Sequence, residues 1–170
     1  MKTILLSFVS LLFHATIQAQ DSAKVVTLLD LRIPAWVKPI IEKSDVAKNY
    51  TISDTLNPFY LEADFTGDKL DDIVLFVESK FDEKKGVMII NRGKNLLFVL
   101  GAGKDLGMGD HINWCNRWFI YRDKGLFDGL GKRKATLKYP AIRIEKSDRI
   151  NLYIYWSGKK YKTYVQVFSE

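Results

Sequence analysis

This chain has little of the chemistry on which most metal centres and nucleophilic enzymes depend. Its 170 residues include one cysteine and two histidines. A single cysteine excludes an intrachain disulfide and a zinc site built from several thiolates. Glycine and proline are at ordinary levels, and hydrophobic residues make up 47% of the chain, which excludes a disordered or collagen-like polypeptide. The length suits one domain with a hydrophobic core.

Long apolar runs are also lacking, except at the N-terminus. Residues 4–17 are mostly apolar and contain no acidic residue; they follow Lys2 and precede Ala19. This layout is typical of a secretory signal peptide and is short for a transmembrane span. We predict a signal peptide over residues 1–19 and a single β-rich exported domain over residues 20–170. The mature protein would be periplasmic or extracellular, without stable membrane insertion; an uncleaved anchor is the alternative.

Positive charge is concentrated in the C-terminal part of the sequence. Residues 101–170 contain 14 Lys and Arg against 7 Asp and Glu, with one compact cluster at Lys132, Arg133 and Lys134. Such an excess favours attraction to anionic surfaces or glycans. Nucleic acid is not an expected partner, because no nucleic-acid reader motif is present. Ordinary solvated surface charge is the alternative explanation.

The apolar pattern predicts a mainly β (α+β) fold. Spacings within residues 31–50 fit a short N-terminal helix that covers one edge of a sheet. From residue 58 onward, short apolar runs separated by turn residues indicate strands. Residues 73–77 are continuously apolar, as expected of a strand buried on both faces. The predicted strands are 59–63, 73–77, 87–90, 96–100, 118–121, 135–138 or 141–145, 150–156 and 161–167. We expect an antiparallel β meander sheet with one Asp-rich strand–loop–strand.

The Asp-rich loop is the one segment with a chemical signature. Residues 64–73 read DFTGDKLDDI, with oxygen-bearing groups at alternate positions. That arrangement suits Ca²⁺, which prefers six to eight oxygen ligands. The candidate metal ligands are the side chains of Asp64, Thr66, Asp68 and Asp72 and the carbonyl of Leu70. An EF-hand is excluded, because Lys69 and Leu75 stand where that motif needs Gly and Glu. Alternatively, the aspartates only cap a turn.

The run ADFTGDKLDDIVLF resembles the calcium loop of FG-GAP/VCBS repeats, which occur in integrin α-chain propellers and in secreted bacterial proteins. The resemblance implies a loop between two strands, with Ca²⁺ held by Asp64, Asp68, the Leu70 carbonyl and Asp72. Thr66 and Lys69 depart from the family pattern. One copy cannot form a propeller. The order of motifs also resembles small exported bacterial proteins with a single such loop, and the end of the signal peptide is similar to those of Bacteroidota.

The loop over residues 101–118 is the best candidate for a binding surface. It is rich in glycine and tryptophan but matches no nucleotide-binding motif. The candidate surface residues are Asp110, His111, Trp114 and Trp118. Aromatic residues, including Tyr121 and Trp156, favour a sugar- or protein-binding face or a place in the β core. The hypothesis that Asp110, His111 and Cys115 form a nucleophilic catalytic site is weaker than that of a binding surface, since catalytic partners often come from distant segments.

These patterns favour a non-enzymatic exported module that binds an envelope protein or a glycan. The alternative is a small periplasmic hydrolase or enzyme inhibitor that uses the same loop.

Overall fold

Strands dominate residues 32–147 and 149–168, where they form two antiparallel sheets and a separate hairpin. A computed structural model describes residues 32–147 and 149–168, so the predicted signal peptide lies outside the described residues. The elements are α1 (Val37–Lys43), a 3-10 helix (Ala47–Asn49), β1 (Tyr50–Ile52), β2 (Tyr60–Ala63), β3 (Asp72–Ser79), β4 (Lys85–Asn91), β5 (Leu96–Gly101), β6 (Arg117–Tyr121), β7 (Gly125–Phe127), β8 (Arg133–Thr136), β9 (Ala141–Lys146), β10 (Ile150–Trp156) and β11 (Tyr161–Val167).

The first sheet is built around β3. Strands β3, β4 and β5 form an antiparallel meander, while β1 and β2 both pair with the free side of β3, β2 at its beginning and β1 at its end. Alternate residues of β3 enter two different cores. Val74 and Phe76 face the second sheet, whereas Ile73 and Leu75 lie on the helix side. The predicted burial of this strand on both faces is therefore confirmed.

The second sheet has the order β11-β10-β9-β6 and supplies the other half of the central core. Ile142 and Ile144 of β9 pack in the same buried cluster as Val74 and Phe76. On the outer face of this sheet, Tyr153 packs with Leu126, Leu137 and Ala141, so the β7–β8 hairpin lies over it. The result is four layers: helix, sheet, sheet and hairpin.

The predicted fold class is confirmed: the described part of the chain is mainly β, antiparallel, with one short α-helix. Three details differ from the sequence-based expectation. The strands divide between two sheets instead of forming one. The β7–β8 hairpin begins in residues 122–134, where no strand was predicted, and residues 135–138 and 141–145, predicted as alternatives, overlap β8 and β9 respectively. The helix packs on the outer face of the first sheet through Val37, beside its edge strand β5. No helix within the described residues has the length and hydropathy needed to cross a membrane.

Candidate functional site

The Asp-rich segment is a tight loop between β2 and β3, as the strand–loop–strand pattern predicts. Two of its residues have positive φ, Gly67 at 81° and Lys69 at 70°. Glycine adopts this backbone at no cost, but lysine does so only with strain. The loop must therefore contain interactions that offset the backbone strain at Lys69.

The Asp64 carboxylate supplies those interactions. Its Oδ1 accepts hydrogen bonds from the backbone N–H groups of Gly67 at 2.5 Å and Asp68 at 3.1 Å. Its Oδ2 accepts one from the N–H of Lys69 at 2.9 Å. Asp68 repeats the pattern on a smaller scale, since its Oδ1 accepts from the N–H of Leu70 at 2.9 Å. Both acids stabilise the loop by bonding its own backbone donors.

Asp72, the first residue of β3, is fully buried at the base of the loop. Its carboxylate accepts hydrogen bonds from the Arg92 N–H at 3.0 Å and from the Thr66 hydroxyl at 3.3 Å. Burial raises the pKa of Asp72 above its usual value, and the hydrogen bonds only partly oppose this shift. The base of the loop thus carries a carboxyl group whose charged form is disfavoured.

These contacts bear on the predicted calcium ligands. The Asp64 and Asp72 carboxylates are engaged by amide and hydroxyl donors, which relieve charge in the way that a cation would. Among residues 32–147 and 149–168, no group of three or more His, Cys, Asp or Glu side chains is arranged to hold a metal. As they stand, the side chains fit turn capping better than a calcium site. Calcium binding stays a prediction of the sequence.

A cleft lies beside the loop, which we call the Asp-loop cleft. Its volume is about 320 Å³. The residues that give it chemical character are Asp68, Asn91, Lys94, Lys138, Tyr139 and Trp156. A second hollow of about 380 Å³ shares Lys138, Tyr139 and Trp156 and continues the cleft along the end of β10. Aromatic faces, a carboxylate, an amide and two ammonium groups therefore converge on one concave surface.

Both aromatic residues of the cleft are held in place by packing. The Trp156 indole meets the rings of Phe98 and Tyr161 edge-on, at centroid distances of 6.3 and 5.0 Å. The Tyr139 ring lies directly against Gly67, where an added Cβ would come within 1.8 Å of Tyr139 Cε1. The Lys138 ammonium lies 5.2 Å from the centre of the Tyr139 ring. A ligand entering the cleft would meet preorganised surfaces.

The cleft also sits where the two sheets are joined by a polar contact. Asn91 Nδ2, at the end of β4, donates a hydrogen bond of 2.8 Å to the Tyr161 hydroxyl at the start of β11. Burial raises the pKa of Tyr161, which keeps its hydroxyl protonated. The floor of the cleft is thus a fixed junction between the sheets.

The 101–118 loop does not bring its predicted residues together as a site. Asp110 pairs with Lys84 at 2.7 Å, which holds the pKa of that carboxyl below its usual value. His111 is exposed, and its Nδ1 accepts a long hydrogen bond of 3.4 Å from the Asn113 N–H. Trp114 is half-buried and packs against the central core. The loop is anchored by buried Leu106 and Ile112.

Trp118 is a correction to the predicted binding surface. Only 1% of this residue is exposed, and its ring contacts Phe76 edge-on at 5.8 Å in the core between the sheets. Its indole N–H donates a hydrogen bond of 2.8 Å to the Pro58 carbonyl. The side chain points inward because Trp118 shares a face with Ile144, its partner across the β6–β9 ladder. The alternative prediction, a core tryptophan, is the right one here.

The arrangement around Cys115 does not support a nucleophilic thiol. Burial raises the pKa of the Cys115 thiol to about 11, so the thiol is protonated at neutral pH. Its Sγ–H donates to the Arg117 carbonyl at 3.4 Å. A nucleophile would instead need a base within hydrogen-bond reach.

A larger groove of about 480 Å³ lies between α1 and β5. Trp36, Ile40, Leu96 and Leu97 give it apolar surface, and three of its eight lining residues are polar. Ligand sites combine apolar surface with a few converging polar groups. The Asp-loop cleft also presents a carboxylate beside two ammonium groups, whereas the groove has no acidic residue.

The sequence had pointed to only part of the cleft. Asp68 belongs to the conspicuous loop, and Trp156 was one of the aromatic candidates. Lys94, Lys138 and Tyr139 carry no motif. The pairing of β3 with β4 brings Lys94 near Asp68, whereas the stacking of the two sheets brings Lys138 and Tyr139 there.

Comparison with protein-family models, with curated proteins and with solved structures finds no match. The resemblance of the loop to FG-GAP/VCBS repeats therefore stays a prediction.

Proposed function

We propose that this protein is an exported, non-enzymatic module that binds a glycan in the Asp-loop cleft. The observation that carries the proposal is the convergence of two fixed aromatic rings with Asp68, Lys94 and Lys138 on one concave surface. The predicted signal peptide supports export. An envelope protein as partner, which the sequence also suggested, becomes an outcome of the test.

A glycan fits the chemistry of the cleft for two reasons. One face of a pyranose ring presents C–H groups, which pack against the electron-rich face of an aromatic ring. Its hydroxyl groups both donate and accept hydrogen bonds. The Asp68 carboxylate accepts, and the Lys94 and Lys138 ammonium groups donate. Two cationic side chains near one carboxylate also favour a sugar that bears acidic groups.

The volume supports the same ligand class. The cleft and its continuation hold about 320 and 380 Å³, within the usual range for small-ligand sites. The continuation runs along the Ser157–Gly158 turn between β10 and β11. An elongated site with an aromatic ring near its middle suits an oligosaccharide better than a single small ion.

The proposal is tested by calorimetric titration of the mature protein with a panel of neutral and acidic bacterial envelope oligosaccharides. We expect binding that is lost in Trp156→Ala and weakened in Lys138→Ala and Lys94→Ala. The lysines are exposed, so these two variants should fold normally even if loss of the indole destabilises the protein. Thermal melts check that each variant is folded at the assay temperature.

Trp114→Ala is the matched control, because Trp114 is also half-buried but belongs to the 101–118 loop. It should bind like the wild type. Loss of binding in Trp114→Ala with retention in Trp156→Ala would move the site to that loop. Absence of binding across the panel, with capture of an envelope protein instead, would refute a glycan module.

A further inference from the structure

We infer that the tip of the β7–β8 hairpin docks onto the surface of an anionic phospholipid bilayer. The tip comprises residues 127–134, between the two strands and at their ends. It contains the Lys132–Arg133–Lys134 cluster, which the proposed glycan site does not use. This surface is distinct from the Asp-loop cleft and needs no glycan.

The apolar half of this surface is Leu130. Leu130 is 96% exposed, more than any other large hydrophobic residue among those described. Phe127 is 36% exposed on the same hairpin. The end of β11 lies alongside, since an added Cβ on Gly129 would be 3.6 Å from the Val167 carbonyl oxygen, and Val167 is 65% exposed. Apolar side chains held in water in one place mark an interaction surface.

Hydrogen bonds of Asp128 organise the turn at the tip. Asp128 Oδ1 accepts hydrogen bonds from the N–H groups of Leu130 at 3.0 Å and Lys132 at 2.8 Å. The backbone of Asp128 also bonds both sides of the turn, to Lys132 and Gly131. Because the turn is fixed by these bonds, Leu130 is presented outward instead of folding back onto the hairpin. Little ordering is required when the tip docks.

The base of the hairpin is equally fixed. Leu126 is fully buried in the cluster formed with Leu137, Ala141 and Tyr153 on the outer face of the second sheet. The Tyr164 hydroxyl donates a hydrogen bond of 3.2 Å to the Phe127 carbonyl. The tip therefore projects from an anchored stem.

The positive charge of the tip favours an anionic partner. The Lys134 ammonium pairs with Asp128 at 3.0 Å, so it neutralises the one acid of the tip. That leaves exposed Lys132 and Arg133, with the Arg133 guanidinium 5.5 Å from the centre of the Phe127 ring. A convex apolar point with a cationic rim is complementary to a lipid layer, where phosphates lie above an apolar boundary. A protein partner would need a matching pocket, whereas a bilayer deforms around the tip.

The experiment is flotation of the mature protein with vesicles of phosphatidylcholine, with and without phosphatidylglycerol. We expect binding only to the anionic vesicles, with a decline between about 0.1 M and about 1 M salt as charges are screened. Each basic residue near such a surface contributes about fivefold to the binding constant, so Lys132→Glu with Arg133→Glu should lower it by about 25-fold or more. Leu130→Ser should lower it about tenfold or more, from the loss of a buried leucine side chain.

Two matched controls should bind like the wild type. Lys159→Glu with Lys160→Glu makes the same charge change in the exposed β10–β11 turn, and Phe81→Ser removes another side chain, 82% exposed, from a different turn. Equal losses in tip and control variants would overturn the inference, as would absence of binding to anionic vesicles. If Leu130→Ser binds as tightly as the wild type while the charge reversal does not, the attraction is electrostatic alone, and docking through the apolar tip is refuted.

Discussion

Replacement of Asp64 by alanine should destabilise the protein more than any change at the exposed acids of the same loop. Asp64 accepts three backbone hydrogen bonds, from Gly67, Asp68 and Lys69. Hydrogen bonds to a charged group contribute about 1.5–3 kcal/mol each. The amides of Asp68 and Lys69 belong to exposed residues and regain water in the variant, so we expect a net loss of about 2–3 kcal/mol, above the range of about 0.5–2 kcal/mol for a lost helix cap.

Two further variants make this prediction graded. Asp64→Asn keeps one oxygen acceptor but turns an NH₂ group toward the remaining amide donors, and should cost about 1 kcal/mol. Asp71→Ala, at an exposed neighbouring acid, should change stability by less than about 0.5 kcal/mol. Urea unfolding measures all three, and thermal melts should show a fall of about 4–12 °C for Asp64→Ala. A melting curve for Asp64→Ala that overlays the wild type would refute the view that amide donors stabilise this loop.

Three other predictions concern the same region. Burial raises the pKa of Asp72 above 3.8, so the folded protein retains a proton that the unfolded chain releases. The contribution of Asp72 to stability therefore falls as pH rises from 3.8 through the raised pKa. In a series of urea unfolding curves at different pH values, Asp72→Asn should flatten this decline. Gly67→Ala should lower the free energy of unfolding by at least about 2 kcal/mol in the same assay, because a methyl group there meets the Tyr139 ring and φ is positive. An unchanged midpoint of the urea unfolding curve would contradict this packing. The resemblance to calcium loops predicts that 10 mM Ca²⁺ stabilises the fold by about 1.4 kcal/mol for a Kd of about 1 mM. Asp68→Asn should remove this gain. If Ca²⁺ leaves the melting temperature unchanged, the amide donors alone explain the stability of the loop.

The sequence predicted the elements of this fold better than their arrangement. The continuous apolar run of β3 shows burial on both faces, and the Asp-rich turn shows where β2 ends and β3 begins. Hydrophobic alternation indicates that one side of a strand is buried, but not against which sheet. For that reason the division into two sheets was not predicted. Strand β7 was not predicted, and β8 was offered in part, over residues 135–138, only as an alternative to β9. The exposed, basic residues of this hairpin resemble a loop, and only Leu126 enters the core.

The candidate site shows the same limit more strongly. Trp118 and Trp156 are both strand tryptophans, and nothing local distinguishes them. Trp118 lies on β6, an edge strand of the second sheet, with its side chain buried beside Phe76, whereas Trp156 is the last residue of β10 and lines the cleft. Tyr139 and Lys94 come from turns that are far apart in the sequence. Their proximity depends on how the sheets stack, which no single segment encodes.

The stability of the loop and the proposed binding function are properties of one structure. Thr66, Gly67 and Asp68 line the cleft, and the carboxylate of Asp64 sets the backbone of that stretch. On the opposite wall, Phe98 of the first sheet packs against Trp156 of the second. Loss of the Asp64 bonds should therefore weaken glycan binding at temperatures where the variant is still folded, because the wall moves while the indole stays. Asp64→Ala protein that is folded and binds with wild-type affinity would separate the loop from the site and place the ligand contacts on the Trp156 wall alone.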